Sequence, residues 1–504
     1  MKGLILACCL MCANIGYGQY TLVPDSNFEQ ALIDLGIDDD GLNGQFLTAN
    51  ALGIGTLNVD NNNISDLSGI EAFVDLENLD ASENDLTSID LSVLPNGMWT
   101  LNLGDNNLTS IDLSYITEIV NLGLYSNNFT LLDASNLNHI FILSASNNPL
   151  LTELTLTNTT TLQVLQISNT SVEDIDLSDS FSLRGLYAFD SQLQNLDFSN
   201  NPNIEEISCY NIPLTSINLP NQPELELLEI DRTQLTELDI TNCPNLDRLS
   251  CTEIGLTALD LSGNPVLDYL NCSDNQLTTI DLSYNSLLTR ALFENNNVGP
   301  ELDLINTVSL EEINCSNNPI EQILNVSSSV NLEKILCEET SLIEIDLSEN
   351  YNLFIVDFYT NPNLVFANMR NGFNNELSSF IGTNCPQLSC VVVDDPTAIN
   401  TNFAINNNTT LVGSIEECED LSISEAQLQQ AISVFPNPVQ DYFYIASEEN
   451  ISIQQIQIFD VLGRLVYTES KPTNKVDISK LARGILFLEI ITSKGRLTKK
   501  VVKE

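Results

Sequence analysis

The chain has 504 residues, with 17 basic and 69 acidic side chains and a formal net charge of −52 at pH 7. Residues 20–431 hold six basic and 61 acidic residues, a net charge of −55, whereas the last 73 residues hold ten basic and eight acidic ones. So acidic a body repels nucleic acid and anionic lipid, which excludes both as expected partners. The abrupt change in charge predicts two separate modules.

The first 18 residues are typical of a secretory signal peptide. Lys2 precedes an apolar run over residues 3–12, and small residues at positions 16 and 18 mark the expected cleavage site. The run is too short to cross a bilayer, and no later stretch of about 18 apolar residues follows it. We therefore expect an exported chain with no transmembrane segment. A lipidated Cys8 is the alternative, because residues 5–8 loosely resemble a lipobox.

Residues 19–66 are expected to form an N-terminal cap. The segment from Ser26 to Leu35 has the pattern of a short helix. Ser26 is the expected N-cap, Glu29 follows three residues later, and Gly36 is the expected stop signal.

A unit of about 21 residues recurs through residues 67–384. The apolar positions of one copy are Leu225, Leu228, Ile230, Leu235, Leu238 and Ile240. Each has an apolar counterpart one period later. This period, with the pattern L-x-x-L-x-L followed by an Asn turn, is typical of a leucine-rich-repeat solenoid, whose copies are stable only when stacked. The predicted fold is mainly β, with about 14 turns of 21–22 residues, a short N-terminal cap helix and a small C-terminal β-sandwich.

Alternate residues on a strand point the same way, so the exposed positions of the L-x-L strands are expected to line one open face. Three of the six basic residues of the acidic body share one column of that face, and an aromatic group that includes Tyr125 lies nearer the N-terminus. Aromatic and Arg side chains are common at binding sites. The candidate binding residues are Arg184, Tyr187, Phe189, Tyr210, Arg248, Tyr269, Arg290 and Lys334. The alternative is that the basic residues only neutralise acids such as Glu312.

Ten copies carry Asp as the second residue of an I-D-L-S element. They are Asp90, Asp112, Asp133, Asp176, Asp197, Asp239, Asp260, Asp281, Asp303 and Asp346. Stacked in register, these like charges would lie about 5 Å apart, which is destabilising unless each is compensated. Local hydrogen bonds to the backbone or to Ser hydroxyls are one solution, and a ladder that binds Ca²⁺ is the other. No other cofactor or metal is expected.

The sequence contains no G-x-S-x-G, glycine-rich phosphate loop, H-E-x-x-H or C-x-x-C ligand set, and His139 is its only histidine. Carboxylate pairs could in principle act in acid–base catalysis, but a repeat array of acids always contains them. We therefore expect a recognition or adhesion protein that is not an enzyme and that binds an extracellular protein or glycan. The alternatives are a structural surface-layer or matrix protein bridged by divalent cations, and a hydrolase with an unrecognised acidic site.

Five cysteines occupy the inward position after the repeat strands and are expected to act as small buried hydrophobes. They are Cys209, Cys251, Cys272, Cys315 and Cys337. Residues 385–418 resemble the closing cap of flavobacterial leucine-rich-repeat proteins, from Cys385-Pro386 to Cys418. Because export permits disulfides, we pair Cys390 with Cys418 in this cap.

The chain after the cap contains an expected linker and an expected β-sandwich. Residues 419–432 are rich in Glu, Gln and Ser, which is typical of a linker. Alternating patterns separated by turns predict short strands within residues 433–504, at 442–445, 451–459, 464–467, 485–491 and 497–502.

Several ordered motifs in residues 433–504 resemble the type A C-terminal sorting domain of the type IX secretion system of Bacteroidetes. The motifs are Val434-Phe435-Pro436-Asn437-Pro438, Phe459-Asp460-Val461-Leu462-Gly463-Arg464, Val476-Asp477-Ile478-Ser479, Leu481-Ala482-Arg483-Gly484 and Lys499-Lys500-Val501-Val502-Lys503. Leu486 departs from the family, which usually has an aromatic residue there. The resemblance implies type IX secretion machinery as a partner, and a product that is secreted or attached to the outer cell surface. Its implied sorting residues are Pro436, Asn437, Pro438, Gly463, Gly484, Lys500 and Lys503.

Overall fold

The computed structural model describes residues 19–135, 137–300, 302, 304–320, 324–397, 402–421, 429, 431–447, 451–470, 474–492 and 495–504. The expected signal peptide lies outside the described residues, as does most of the expected linker. The chain divides into two compact units, Met1–Asn318 and Pro319–Glu504, which are described one after the other. Neither α-helix of the described residues has the length and apolar character needed to span a membrane.

The first unit begins with a small cap. Strand Tyr20–Leu22 pairs antiparallel with strand Gln45–Leu47, and helix Ser26–Asp34 lies between them in sequence. The expectation that Ser26 caps this helix is wrong. The carboxylate of Asp25 is the cap, because it accepts hydrogen bonds from the backbone N–H groups of residues 27 and 28 at 2.8 and 3.1 Å.

One parallel sheet, which we call the main ladder, organises the first unit and confirms the predicted solenoid. Each turn of the chain adds one three-residue strand with a buried middle residue and two outward neighbours. Its strands in this unit are Thr56–Asn58, Asn78–Asp80, Thr100–Asn102, Asn121–Gly123, Ile142–Ser144, Val164–Gln166, Gly185–Tyr187, Glu206–Ser208, Leu227–Glu229, Arg248–Ser250, Tyr269–Asn271, Arg290–Leu292 and Glu312–Asn314. Neighbouring strands pair in register, so equal positions of successive repeats become columns.

The remaining bends of the first unit carry shorter elements. Strands Leu131–Asp133 and Glu153–Thr155 pair with each other, as do Asn195–Asp197 and Ser216–Asn218. The 3₁₀ helices are Thr48–Ala51, Ile70–Ala72, Leu91–Val93 and Leu113–Tyr115. A second paired strand therefore occurs in only some of the described turns of this unit.

A column of buried Asn side chains stabilises the bend after the main-ladder strands. Members of this column are Asn84, Asn106, Asn127, Asn148, Asn275, Asn296 and Asn318. Asn106 is representative, since its amide group donates to three backbone carbonyls at 3.0 to 3.1 Å and its oxygen accepts from a backbone N–H at 2.9 Å. The column thus satisfies backbone groups that would otherwise be buried without partners.

The repeat part of the second unit has the same architecture, with two parallel ladders of its own. Its main-ladder strands are Lys334–Leu336, Ile355–Asp357, Ser379–Gly382 and Phe403–Ile405. Its second ladder consists of Leu324–Asn325, Glu344–Asp346, Phe366–Asn368, Cys390–Val392 and Thr410–Val412. A 3₁₀ helix spans Asn374–Glu376. The described strands of this ladder type number 13 in the first unit and four in the second, against about 14 expected turns, and two of them, Thr56–Asn58 and Phe403–Ile405, lie in segments expected to be caps.

A disulfide joins the second ladder to the helix that follows it. Cys390 begins a ladder strand, Cys418 lies on helix Ile415–Leu421, and the two are bonded with their Cα atoms 5.8 Å apart. Both cysteines pack with Val392 and Val412 in a small apolar cluster. The helix is thereby attached to the end of the ladder.

Replacing both Cys390 and Cys418 with Ala is expected to lower the free energy of unfolding of the second unit by about 3 kcal/mol. The bond joins residues 28 positions apart, so its loss frees a loop of that length in the unfolded chain. Urea unfolding followed by circular dichroism measures the change. As a control, dithiothreitol should destabilise the wild type but not the double variant. Equal stability of the two proteins would contradict the prediction.

The other described cysteines are buried thiols. They are Cys209, Cys243, Cys251, Cys272, Cys315, Cys337 and Cys385. Burial raises the pKa of Cys209 and Cys272 to about 12, so their thiols stay protonated. These side chains therefore pack as small apolar groups.

The C-terminal module consists of two antiparallel sheets with a shared apolar core. One sheet contains Ile432–Phe435, Tyr442–Ser447 and Lys475–Asp477. The other contains Leu465–Ser470, Ile453–Phe459, Gly484–Thr492 and Gly495–Lys503. Core residues come from both sheets, among them Phe443 and Leu488. The expected β-sandwich is confirmed, with two strands, Ile432–Phe435 and Lys475–Asp477, beyond the five predicted.

Candidate functional site

The outward positions of the main ladder bring part of the expected basic column together. Arg248, Tyr269 and Arg290 begin three consecutive strands and lie side by side in register. The guanidinium carbon of Arg248 lies 4.8 Å from the centroid of the Tyr269 ring, a cation–π contact. Arg290 Nε lies 3.7 Å from a carboxylate oxygen of Glu312. Neutralisation by neighbouring acids therefore describes Arg290, whereas Arg248 stacks on an aromatic ring.

Lys334 belongs to the second unit and begins strand Lys334–Leu336, in register with Ile355. The site formed by Arg248, Tyr269 and Arg290 therefore belongs to the first unit and does not include Lys334.

An aromatic cluster, defined as Tyr187, Phe189 and Tyr210, lies on two adjacent turns. The rings of Phe189 and Tyr210 are stacked, with centroids 4.9 Å apart and planes 2° from parallel. The Tyr187 hydroxyl donates a hydrogen bond to the Glu206 carboxylate on the next strand. Arg184, which immediately precedes the Tyr187 strand, pairs with Glu205 at 2.8 Å between nitrogen and oxygen. Hydrogen-bond donors, acceptors and flat apolar surface therefore occur together.

The charges around the aromatic cluster keep its phenols protonated. Burial, the hydrogen bond to Glu206 and the charges of Glu206 and Glu229 raise the pKa of Tyr187 to about 12. Burial and three nearby carboxylates also raise the pKa of Tyr210. Both phenols are therefore protonated at neutral pH, and because the Tyr187 hydroxyl donates its single proton to Glu206, it can only accept a further hydrogen bond.

Tyr125 does not join the aromatic cluster. Two strands of the main ladder, Ile142–Ser144 and Val164–Gln166, separate its turn from the turn of Phe189. Its ring lies against the backbone of Gly104, where an added Cβ would be 2.2 Å from the phenol ring. Glycine at position 104 therefore permits this close approach.

Sequence reasoning missed two exposed aromatic side chains on the same ladder. Trp99 is 61% exposed and Phe141 is 43% exposed, and each immediately precedes a main-ladder strand. Arg184 occupies the same position of its own repeat. Comparing this column from copy to copy, rather than only the strand positions, would have found both aromatic residues.

The nine described members of the Asp column are compensated locally, and Asp303 lies outside the described residues. Asp90 Oδ1 accepts hydrogen bonds from the backbone N–H and the hydroxyl of Ser92 at 2.9 and 2.6 Å, and Asp112 bonds Ser114 in the same way. The Ser92 bonds lower the pKa of Asp90. In the described residues, no group of three or more His, Cys, Asp or Glu side chains is arranged to hold a metal ion. The geometry supports the Asx-turn solution, and calcium binding by this column stays a hypothesis.

Two shallow concavities occur in the second unit. One of about 430 Å³ is lined by Asn and Pro side chains, including Asn384 and Pro386. The other, of about 230 Å³, is lined by residues that include Asp346 and Glu349. Neither contains a candidate binding residue.

Several of the expected sorting residues contact the last strand of the C-terminal module. The side chain of Asn437, between Pro436 and Pro438, donates to the Lys500 carbonyl at 2.7 Å and accepts from the Val502 N–H at 2.9 Å. These two bonds attach the proline-rich segment to strand Gly495–Lys503.

The buried ammonium group of Lys503 donates to three backbone carbonyls. Its Nζ lies 2.6 Å from the oxygen of Ile478, 3.1 Å from that of Ser479 and 2.5 Å from that of Leu481. Away from this contact, Gly463 and Gly484 have φ angles of 76° and 140°, which L side chains rarely adopt.

Residues 433–504 match the sequence family described as the secretion system C-terminal sorting domain. The tail is this sorting domain. It directs export by the type IX secretion system, so the protein is secreted or attached to the outer cell surface. The secretion machinery is therefore a partner of the sorting domain.

Solved leucine-rich-repeat structures resemble the fold. The functional domain of InlJ from Listeria monocytogenes, described as including a cysteine ladder, aligns over 97% of this chain and 99% of that chain, with 20% identity and a TM-score of 0.63. An internalin of the same organism aligns over 67% and 96%, with 22% identity and a TM-score of 0.53. A leucine-rich-repeat protein of Leptospira interrogans aligns over 62% and 92%, with 16% identity and a TM-score of 0.50. The search of curated proteins finds no significant match.

Proposed function

We propose that the protein is an exported recognition protein, not an enzyme, that binds an extracellular protein or glycan on the outward face of the main ladder. The stacked pair of Phe189 and Tyr210, on the same two turns as the Arg184–Glu205 ion pair, is the observation that carries this proposal. It presents rigid aromatic surface and both signs of charge within two adjacent turns. Aromatic and Arg side chains dominate the energetics of many binding interfaces.

The geometry of these groups supports binding because they are already ordered without a ligand. Stacking restrains the Phe189 and Tyr210 rings, and the hydrogen bond to Glu206 orients Tyr187. Side chains that are ordered before binding lose less conformational entropy when a ligand arrives.

A second part of the same face supports the proposal independently. Arg248 stacks on Tyr269, and both side chains belong to a column with Arg290. The repeat body carries a net charge of −55, so basic groups held on its ladder face are places where acidic or hydroxyl-rich ligand groups meet attraction rather than repulsion.

The experiment is ligand capture by the purified exported chain on arrays of glycans and of extracellular proteins. For a ligand found this way, replacing Phe189 and Tyr210 together with Ala is expected to weaken binding by about 30-fold, as for a hot-spot pair. Replacing Arg248 and Arg290 with Ala tests the basic column in the same assay.

The matched control is Tyr284→Ala, which removes an aromatic side chain that is 57% exposed and lies in none of these groups. Circular dichroism checks that each variant is folded. Undiminished capture by both double variants would reject this face as the binding site.

A further inference from the structure

Four consecutive turns of the first unit carry no charged residue along the main ladder. We call residues 99–102, 120–123, 141–144 and 163–166 the neutral patch. The repeat body as a whole has 61 acids among residues 20–431, about one in seven. Sixteen ladder residues without an acidic residue are therefore a local departure from the composition of the repeat body.

The turns on either side define the limits of the neutral patch. Glu77 and Asp80 occupy the preceding turn at the positions that Trp99 and Asn102 occupy in the patch. Arg184 lies at the corresponding position of the following turn. Charge thus returns immediately before and after the patch.

One side of the neutral patch is apolar, with Trp99 and Phe141 exposed and Val120 half-buried between them. Trp99, Val120 and Phe141 lie on three consecutive turns, joined by backbone hydrogen bonds from Val120 N–H to the Trp99 carbonyl at 2.9 Å and from Phe141 N–H to the Val120 carbonyl at 2.7 Å. Ile142, next to Phe141, is 40% exposed. Met98 and Leu101 are fully buried on either side of Trp99, so the indole is held outward by a filled core beneath it.

The other side of the neutral patch is polar but uncharged. Asn102, Ser144 and Gln166 stand there in one column, half-buried, and each carries both a donor and an acceptor, whereas Gln163 continues the column of Phe141. Asn102 lies across Gly123, within 2.6 Å of where a Cβ would stand, and its oxygen accepts from the Gly104 N–H at 3.2 Å. The polar side is therefore shaped by glycine at two positions, which leaves the side chains close to the sheet.

The geometry points to a binding site for a neutral polysaccharide that is distinct from the aromatic cluster. This inference rests on the proposed function only in that it uses the same face of the main ladder. A sugar ring presents an apolar C–H face and hydroxyls that both donate and accept, which matches an aromatic edge beside uncharged amide and hydroxyl side chains. An anionic ligand would meet no cation within the patch and a net charge of −55 around it. Arg, which is enriched at protein interfaces, does not occur among residues 99–166.

The chain contains a single tryptophan, so intrinsic fluorescence reports directly on the neutral patch. We would titrate the purified exported chain with dextran, mannan and soluble β-glucan, and with alginate and heparin as anionic counterparts. A saturable change in Trp99 emission is expected with at least one neutral polysaccharide and with neither anionic one. Failure of every neutral polysaccharide, or an equal response to the anionic ones, would overturn the assignment.

Variants separate this site from its surroundings. Phe141→Ala and Trp99→Ala are each expected to weaken binding of the polysaccharide about tenfold. Because Trp99→Ala removes the fluorophore, its affinity is measured by affinity electrophoresis in a gel that contains the polysaccharide. Phe181→Ala is the matched control, since Phe181 is 48% exposed and lies outside the patch. An unchanged affinity in both patch variants, or an equal loss in the control, would overturn the site.

The two proposals fail in different ways. The Phe189/Tyr210 and Arg248/Arg290 double variants should retain polysaccharide binding, because neither pair belongs to the neutral patch. Loss of binding in those variants would overturn the separate site while leaving the proposed ladder face intact. A purified protein ligand whose capture depends on Trp99 and Phe141, with no polysaccharide binding, would replace the glycan assignment.

Discussion

The Asn106→Ala variant is expected to be less stable than the wild type by about 4 kcal/mol in free energy of unfolding. The Asn106 amide donates to the carbonyls of Ala81, Leu103 and Gly104 and accepts from the N–H of Leu86. Alanine would leave these backbone groups buried without partners, which costs more than the lost bonds themselves. Urea unfolding monitored by Trp99 fluorescence measures the effect in the same unit.

The control for this variant is Asn107→Ala, the same change at the adjacent exposed position. It is expected to alter the free energy of unfolding by less than about 0.5 kcal/mol. Asn106→Thr should fall between the two, because Thr170 occupies the equivalent position of another turn and bonds one carbonyl, that of Ile167, at 2.8 Å. Equal stability of the Asn106 and Asn107 Ala variants would contradict the proposed role of the column.

The Lys503→Met variant is expected to destabilise the sorting domain by about 4 kcal/mol and to reduce export. Methionine keeps the length of the side chain but removes a buried ammonium group that donates to three carbonyls. Hydrogen exchange of the last strand, Gly495–Lys503, measures the loss of protection in the full chain. The secreted fraction from a bacterium with type IX secretion measures the effect on export.

The matched control is Lys500→Met, because Lys500 lies on the same strand with its side chain exposed. Its hydrogen-exchange protection should remain that of the wild type. If both variants lose protection equally, the three carbonyl contacts of Lys503 do not explain the stability of the strand. If Lys500→Met alone reduces export, that side chain contacts the secretion machinery rather than the fold.

The period of the repeats predicted the solenoid because each copy cannot bury its own apolar face. Leu228, Leu249 and Leu270 recur at a constant spacing, and their strands pair in the register that this spacing implies. The tail motifs likewise predicted a sandwich. Local sequence did not reveal strand Lys475–Asp477, because three residues are too few to show an alternating pattern.

At helix Ser26–Asp34, a contact with a distant residue decides which of two suitable residues is the N-cap. Ser26 and Asp25 are both suitable N-cap residues by type. In the structure the second carboxylate oxygen of Asp25 accepts from the backbone and hydroxyl of Ser65, at 2.8 and 2.7 Å. This contact joins residues 40 positions apart, so the helix pattern alone contains no sign of it.

Trp99 and Phe141 were missed because a regular strand alternates its side chains between two faces. Here two successive N–H groups, of Trp99 and Thr100, both bond the carbonyl of Glu77, at 2.7 and 3.2 Å. The ladder is therefore locally irregular, and two consecutive side chains face outward before the buried Leu101. An alternation rule assigns the first of them to the wrong face.

The amino-acid sequence by itself determined the repeat, the strand register, the export tail and the acidic character of the body, because each follows from spacing or composition along the chain. Only the tertiary structure decided which side chains meet. It placed Arg248 on Tyr269, stacked Phe189 on Tyr210, separated Tyr125 from both, and exposed Trp99 beside uncharged neighbours. Contacts across turns depend on the bends between strands, and those bends are stabilised by buried amides from neighbouring copies rather than by any single repeat.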